Sequence, residues 1–340
     1  MRKVLLLGAV VAACASATTF STVGAAAARH DPIGTADDTA DSAADDATDD
    51  AADGAAGGSG ALGGQVGTAE AFIVTLPRLR TATYSYGASG DQRLDAYWRA
   101  PEAGTQPGIL LLHGGYWFEG DKASWRAIAR RLADRGYAVF AADYRLSEAA
   151  PWPAQRTDAA TALAFVKRFA GQFGLDPERV VVVGSSAGGQ LAAMLGTYGT
   201  GGKRVRGVVA LSPVNSPYLG YIDGGLPDAN GAERKLRKAV VRLIGCAPED
   251  GVGLCWTRMD DVAPATYASS GDAPLLVLHS TGEFVPPAHS TELVSVLKSF
   301  GVAATLAEFP GDAHGTGILN EPQGWRAVVT WIDSITKKAT

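Results

Sequence analysis

The junction at residues 179–195 constrains this chain most. Arg179-Val180-Val181-Val182-Val183-Gly184 is an apolar, β-branched run, the pattern of a strand buried on both faces. Helix-forming sequence resumes at Gln190 to Leu195. Between them stands Gly184-Ser185-Ser186-Ala187-Gly188-Gly189, the G-x-S-x-G pattern in a strand–turn–helix setting. So sharp a turn holds its central serine in a strained conformation, and residues two positions to either side must lack bulk. The helix that follows points its first amides at a developing oxyanion. A Gly/Ser-rich turn by itself would equally suit a phosphate, so the case for Ser186 as a nucleophile rests on partners elsewhere in the chain.

From about residue 69 onward, strand-like apolar runs alternate with longer amphipathic stretches. That alternation predicts an α/β domain, a mostly parallel central sheet with helices on both faces. The predicted strands are 71–76, 81–87, 93–98, 108–113, 137–142, 179–184, 205–211, 274–280 and 302–309. The predicted helices are 122–135, 156–173, 187–197, 234–244, 287–300 and 322–338. Residues 213–263 interrupt the alternation with Pro, Gly, Asn and a basic helix, which reads as a cap-like insertion above the sheet.

The N-terminal part has a different texture. Arg2 and Lys3 precede a short apolar stretch, Val4 to Ala13, and small-residue sites follow at Ala15-Ser16-Ala17 and Ala26-Ala27-Ala28. Residues 1–28 are read as an export signal. Val11-Ala12-Ala13-Cys14 also resembles a lipobox, so cleavage and lipidation of Cys14 both stand as readings. Residues 29–67 are almost entirely Ala, Asp, Gly, Thr and Ser, with no aromatic between Phe20 and Phe72. They read as a disordered acidic linker, leaving 68–340 as the folded domain.

Charge follows the same division. Residues 1–64 hold nine aspartates against Arg2, Lys3 and Arg29, a net −6, so the remainder is near neutral at +1. A near-neutral body gives no electrostatic case for nucleic acid or for an anionic membrane surface. The expected location is secreted or cell-envelope, with membrane contact only through an N-terminal lipid anchor. Cys246 and Cys255, nine positions apart, are read as either a disulfide or two free thiols, export favouring the bond. Oligomeric state is not legible.

Two further motifs carry chemistry. Leu111-Leu112-His113-Gly114-Gly115-Tyr116-Trp117 follows a predicted strand, and its glycines let backbone amides approach a tetrahedral oxygen closely. Phe309-Pro310-Gly311-Asp312-Ala313-His314-Gly315 follows the last predicted strand, where a histidine can reach the Ser186 hydroxyl. Of the other histidines, His30 falls in the linker, His279 ends a strand, His289 is read onto an exposed helix, and His113 is read as holding its loop. His314 is the candidate base.

Residues 90–340 resemble the α/β-hydrolase esterases of the bacterial feruloyl-esterase-like and hormone-sensitive-lipase-like groups. The resemblance rests on Leu94-Asp95-Ala96-Tyr97, His113-Gly114-Gly115 with Trp117, Asp143-Tyr144-Arg145-Leu146, Pro153 with Asp158, the elbow, Val285-Pro286 and His314-Gly315. It implies an α/β-hydrolase fold, ester hydrolysis through an acyl-enzyme, no cofactor and no metal, with oxyanion donors at the backbone of Gly115, Tyr116 and Ala187. One turn departs from the pattern. His279-Ser280-Thr281-Gly282-Glu283-Phe284-Val285-Pro286 is one residue short and lacks the usual aspartate. Glu283 is the expected triad acid, its extra methylene making up the reach, with Asp312 as the alternative.

The expected partner is a small-molecule or polymer-borne ester. Tyr116, Trp117, Phe118, Trp125, Tyr218, Tyr221 and Trp256 are candidate pocket liners, or core. Two other readings stand. The His113–Trp117 loop with Asp121-Lys122 also resembles arylformamidases, which cleave an amide with the same groups. A non-catalytic surface binding protein on this fold would explain the altered acid turn.

Overall fold

A computed structural model describes residues 77–250 and 253–337. In it the valine run is the heart of a central strand. The strands are β1 (Arg80–Ser85), β2 (Arg93–Trp98), β3 (Gln106–Leu112), β4 (Ala138–Ala142), β5 (Leu175–Ser185), β6 (Gly207–Leu211), β7 (Leu275–Ser280) and β8 (Ala304–Phe309). They form one sheet in the order β1-β2-β4-β3-β5-β6-β7-β8. Only the β1–β2 and β2–β4 pairings are antiparallel; every pairing from β4 through β8 is parallel. The strand predicted at 71–76, the export signal, Cys14 and the acidic linker lie outside the described residues.

The helices are α1 (Arg126–Ala133), α2 (Ala154–Arg168), α3 (Ala187–Thr197), α4 (Gly201–Arg204), α5 (Pro217–Asp223), α6 (Gly231–Ile244), α7 (Gly253–Val262), α8 (Ala288–Ser299) and α9 (Pro322–Thr336). They cover both faces of the sheet, as alternating side chains require. Val180 and Val182 pack with Leu110, Leu112, Leu163 and Leu191 on one face. Val181 and Val183 pack with Ile109, Leu111, Leu132, Val328 and Ile332 on the other. Each such side chain contributes about 1.5–3 kcal/mol by leaving water. A parallel sheet buried on both faces is the α/β-hydrolase arrangement, and it delivers every chemistry-bearing loop to the C-terminal ends of β3, β5, β7 and β8.

The described residues of 213–263 hold three α-helices where the sequence pattern predicts one. α6 starts ahead of the predicted 234–244 because Asn230 and Glu233 form a capping box, Asn230 Oδ1 accepting from Glu233 N at 3.0 Å and Glu233 Oε2 from Asn230 N at 2.7 Å. α5 is only 7 residues long and contains Gly220, and α7 lacks a clean apolar stripe, so neither shows a helical period. Cys246 and Cys255 are disulfide-bonded, with Cα atoms 5.8 Å apart, which ties the end of α6 to the start of α7.

Candidate active site

β5 ends at Ser185, and Ser186 makes the turn into α3 with φ +54° and ψ −118°. This backbone conformation costs a non-glycine residue on the order of 1–3 kcal/mol. The surrounding packing maintains it. Ser186 N donates to Leu211 O at 2.8 Å, while Ser186 O accepts from Gln190 N at 3.1 Å. The flanking glycines are obligatory on steric grounds. A Cβ at Gly184 would lie 2.0 Å from Gly188 O, and one at Gly188 would lie 2.3 Å from both Leu112 O and His113 O.

His314 and Glu283 meet across the ends of β8 and β7. His314 Nδ1 donates to Glu283 Oε2. The Glu283 side chain is fully buried, whereas that of His314 is 26% exposed and so open to a substrate. Glu283 Oε1 accepts three further hydrogen bonds, from Ser212 Oγ at 2.8 Å, Ser280 N at 2.9 Å and His279 Nδ1 at 3.2 Å. Burial alone would push this carboxyl up. The hydrogen bonds from His279 and His314 outweigh it and hold Glu283 below the usual carboxylate range. Asp312 is exposed and makes no hydrogen bond to His314, so of the two predicted acids only Glu283 reaches the histidine.

The His314 loop is latched beside the elbow. Gly315 N donates to Ser212 Oγ at 2.8 Å and Thr316 N to Ser185 Oγ at 3.2 Å. Gly315 has φ +57°, and a Cβ there would lie 2.3 Å from Ser185 Oγ. The Ser186 hydroxyl itself forms no hydrogen bond among the described residues.

The glycine loop after β3 lies against the same serine, a Cβ at Gly114 falling 3.2 Å from Ser186 Cβ. Its own closure is by Phe118 N and Glu119 N donating to Gly115 O, at 3.1 and 2.9 Å, bonds that do not engage the Gly115 and Tyr116 amides. Tyr116 and Trp117 both take positive φ, +54° and +61°. The Trp117 side chain anchors this strain, fully buried and donating from Nε1 to Gln190 Oε1 at 3.1 Å. Beneath it His113 stacks on Tyr144 at 4.3 Å, and Tyr144 Oη donates to His113 O at 2.9 Å. His113 thus holds the loop. Behind it, Asp158 accepts from Arg145 N at 2.9 Å, Arg145 Nε at 2.8 Å and Gln92 Nε2 at 2.7 Å, which accounts for the Arg145 and Asp158 signatures.

Side chains of the 213–263 insertion reach this loop. Lys235 Nζ sits 4.5 Å from the Tyr116 ring and 2.6 Å from Glu119 Oε1, and Arg242 lies over Phe118 at 4.8 Å. Phe284 stacks between Tyr116 and His314, at 6.0 and 4.4 Å.

Several expectations change. Trp117 and Trp125 are fully buried core, and Tyr221 is nearly so; Tyr116 and Phe118 are half-buried, and Tyr218 and Trp256 exposed. His289 is buried rather than exposed, because α8 turns that face toward Ser216 and the sheet. Ser212 and His279, both on Glu283, were missed. Ser212 at φ +45° is a second strained serine, and only its place at the end of an apolar strand hinted at it. Among the described residues no group of three His, Cys, Asp or Glu side chains could hold a metal ion.

Comparison with known proteins gives the family. Residues 94–297 match the sequence model of the BD-FAE family. The chain is 25% identical over 245 residues to Esterase LipQ of Mycobacterium tuberculosis, covering 69% of this chain and 57% of the relative. It is 26% identical over 245 residues to the isoprenylcysteine alpha-carbonyl methylesterase ICME of Arabidopsis thaliana, covering 70% and 57%. The chain thus spans under three fifths of the length of these curated relatives. Among solved structures, a truncated carbohydrate esterase from gut microbiota superposes with TM-score 0.64 at 23% identity, over 78% of this chain and 98% of that one. Esterase B from Lactobacillus rhamnosis superposes with TM-score 0.62 at 23% identity, over 77% and 88%; both likenesses are of fold. With more than half of its length matched by the family's sequence model, the chain belongs to the BD-FAE family of α/β-hydrolase-fold esterases.

Proposed function

We propose that this protein is an exported serine carboxylesterase in which Ser186 is the nucleophile, His314 the general base and Glu283 the triad acid. The observation that carries the reading is the latch between the His314 loop and Ser185, the residue beside the nucleophile, with Glu283 locked behind His314. Ser186 Oγ attacks the ester carbonyl as His314 Nε2 takes its proton. The oxyanion lies against the amides of Gly115, Tyr116 and Ala187. His314 returns the proton to the departing alcohol oxygen, leaving an acyl group on Ser186. Water, deprotonated by His314, then cleaves the acyl-enzyme and frees the acid.

The substrate class is a carboxylic ester, small or polymer-borne, in keeping with relatives described as esterases and a carbohydrate esterase. The Cys246–Cys255 disulfide and the basic-then-apolar N-terminus support export to an oxidising compartment. The altered acid turn was the best argument for a non-catalytic protein, and the contact of Glu283 with His314 weighs against that reading. The test is hydrolysis of a p-nitrophenyl acyl-ester series, with fluorophosphonate labelling, by the wild type and Ser186→Ala. Turnover and labelling that vanish together in Ser186→Ala support the reading. A folded wild-type protein with neither, or a Ser186→Ala variant with undiminished turnover, sinks it.

A further inference from the structure

Glu283 has one more rotatable bond in its side chain than an aspartate in the same place would have. A longer acid has more orientations to lose, so it needs more restraint to present one chosen oxygen to a histidine. The structure supplies that restraint from a second histidine. His279, on β7, is completely buried. Its Nδ1 lies 2.8 Å from Val285 O and 3.2 Å from Glu283 Oε1. Both neighbours are acceptors, so Nδ1 carries the proton and shares it between them. On the other side of the ring, Nε2 lies 2.9 Å from Ser290 Oγ. That hydroxyl accepts from Asn215 Nδ2 at 3.1 Å, which leaves its own proton for His279 Nε2. The relay from Asn215 through Ser290 therefore selects the tautomer that faces Glu283, and His279 spans the turn from its first residues to Val285.

We infer that His279 is a positioning residue for the esterase: its Nδ1–H clamps the turn and occupies Glu283 Oε1, so that Oε2 alone is presented to His314. This rests on the reading of Ser186, His314 and Glu283 as a triad. A carboxylate with one oxygen saturated by Ser212, Ser280 and His279 cannot rotate its second oxygen away from His314 without breaking all three bonds. Ser280 N is fixed by the backbone and Ser212 Oγ is shared with Gly315 N, so the His279 contact is the one that also ties the far side of the turn.

The experiment compares His279→Asn, His279→Gln and His279→Ala in the full chain, by p-nitrophenyl acetate kinetics. An asparagine amide nitrogen falls near the place of Nδ1, whereas a glutamine amide nitrogen falls near that of Nε2. His279→Gln and His279→Ala should lose about 10–100-fold in kcat, the usual cost of removing an outer-shell partner, with KM little changed. His279→Asn should recover most of that loss. Equal losses in Asn and Gln variants, or kcat within threefold of wild type in all, overturn the inference. Should the His279 variants fail to fold, Ser290→Ala decides: it removes the anchor on Nε2 and lets the ring swing off Glu283 Oε1, so kcat falls about 10-fold at constant KM, and unchanged kcat overturns the inference. Ser186→Ala in the same series separates the outcomes, since an inactive Ser186→Ala beside an indifferent His279 series removes only the positioning role.

Discussion

Replacing Glu283 with glutamine is the sharpest perturbation of this site, because the structure dictates how the amide must sit. The side chain is isosteric, but one of its two ends becomes a donor. Glu283 Oε1 receives Ser212 Oγ, Ser280 N and His279 Nδ1, all donors, so the glutamine carbonyl must take that place. The amide nitrogen then faces His314 Nδ1, where two donors cannot meet. His314 is forced to accept at Nδ1 and to carry its proton on Nε2, the nitrogen that must receive the proton of Ser186. The variant is thus held in the wrong tautomer, with no negative charge to stabilise the imidazolium. A triad acid changed to its amide loses about 10⁴ in kcat, equivalent to about 5.5 kcal/mol of barrier. Glu283→Asp keeps the charge but retracts the carboxylate by about one C–C bond, ~1.5 Å. With the His314 loop latched to Ser212 and Ser185, nothing recovers that reach, and a displacement of about 1 Å costs on the order of 100-fold. The assay is kcat for p-nitrophenyl acetate, with circular dichroism to confirm folding. Gln within tenfold of wild type, or a larger loss in Asp312→Asn than in Glu283→Gln, would refute the reasoning.

Other expectations follow from single contacts. Gly315→Ala forces a Cβ to within 2.3 Å of Ser185 Oγ at φ +57°, so the His314 loop shifts; kcat should fall about 100-fold for a displacement near 1 Å, with thermal unfolding showing a folded domain. Burial pushes the His289 ring down to about 3. The unfolded chain, with a histidine near 6.5, therefore binds more protons below that pH, and stability falls as pH drops. From pH 6.5 to 4.5 this site should cost about 2–3 kcal/mol in urea unfolding, a slope that His289→Phe reduces; parallel slopes would refute it. His113, also pushed down by burial, adds to the same trend. Changing Cys246 and Cys255 together to serine opens a loop of nine-residue separation. The loss should be about 2–3 kcal/mol on a chain-entropy estimate, read as a lower melting temperature.

What was legible in the sequence, and what was not, divides along physical lines. The elbow could be read because it makes demands that only certain residues meet. A Cβ at Gly184 or Gly188 would strike backbone, so the glycines must be written into the chain around Ser186. β2 and α3 were predicted to the residue, one by its alternation, the other by the glycines that open it. His314 followed from its loop after the last strand. By contrast, the groups that hold Glu283 in place announce nothing. Ser212, Ser280 and Ser290 are common residues whose value is only where their donors point, and β6, β7 and α8 are brought together by the sheet rather than by sequence proximity. His289 was misjudged for the same reason: a histidine near the start of a helix reads as exposed until the elements packed against it are in place. Here the altered acid turn is informative. A sequence that loses its usual aspartate and one turn residue looks like a decaying site. Fourfold hydrogen bonding of Glu283 argues the opposite, since a buried carboxylate with so many donors is costly to keep unless its orientation matters.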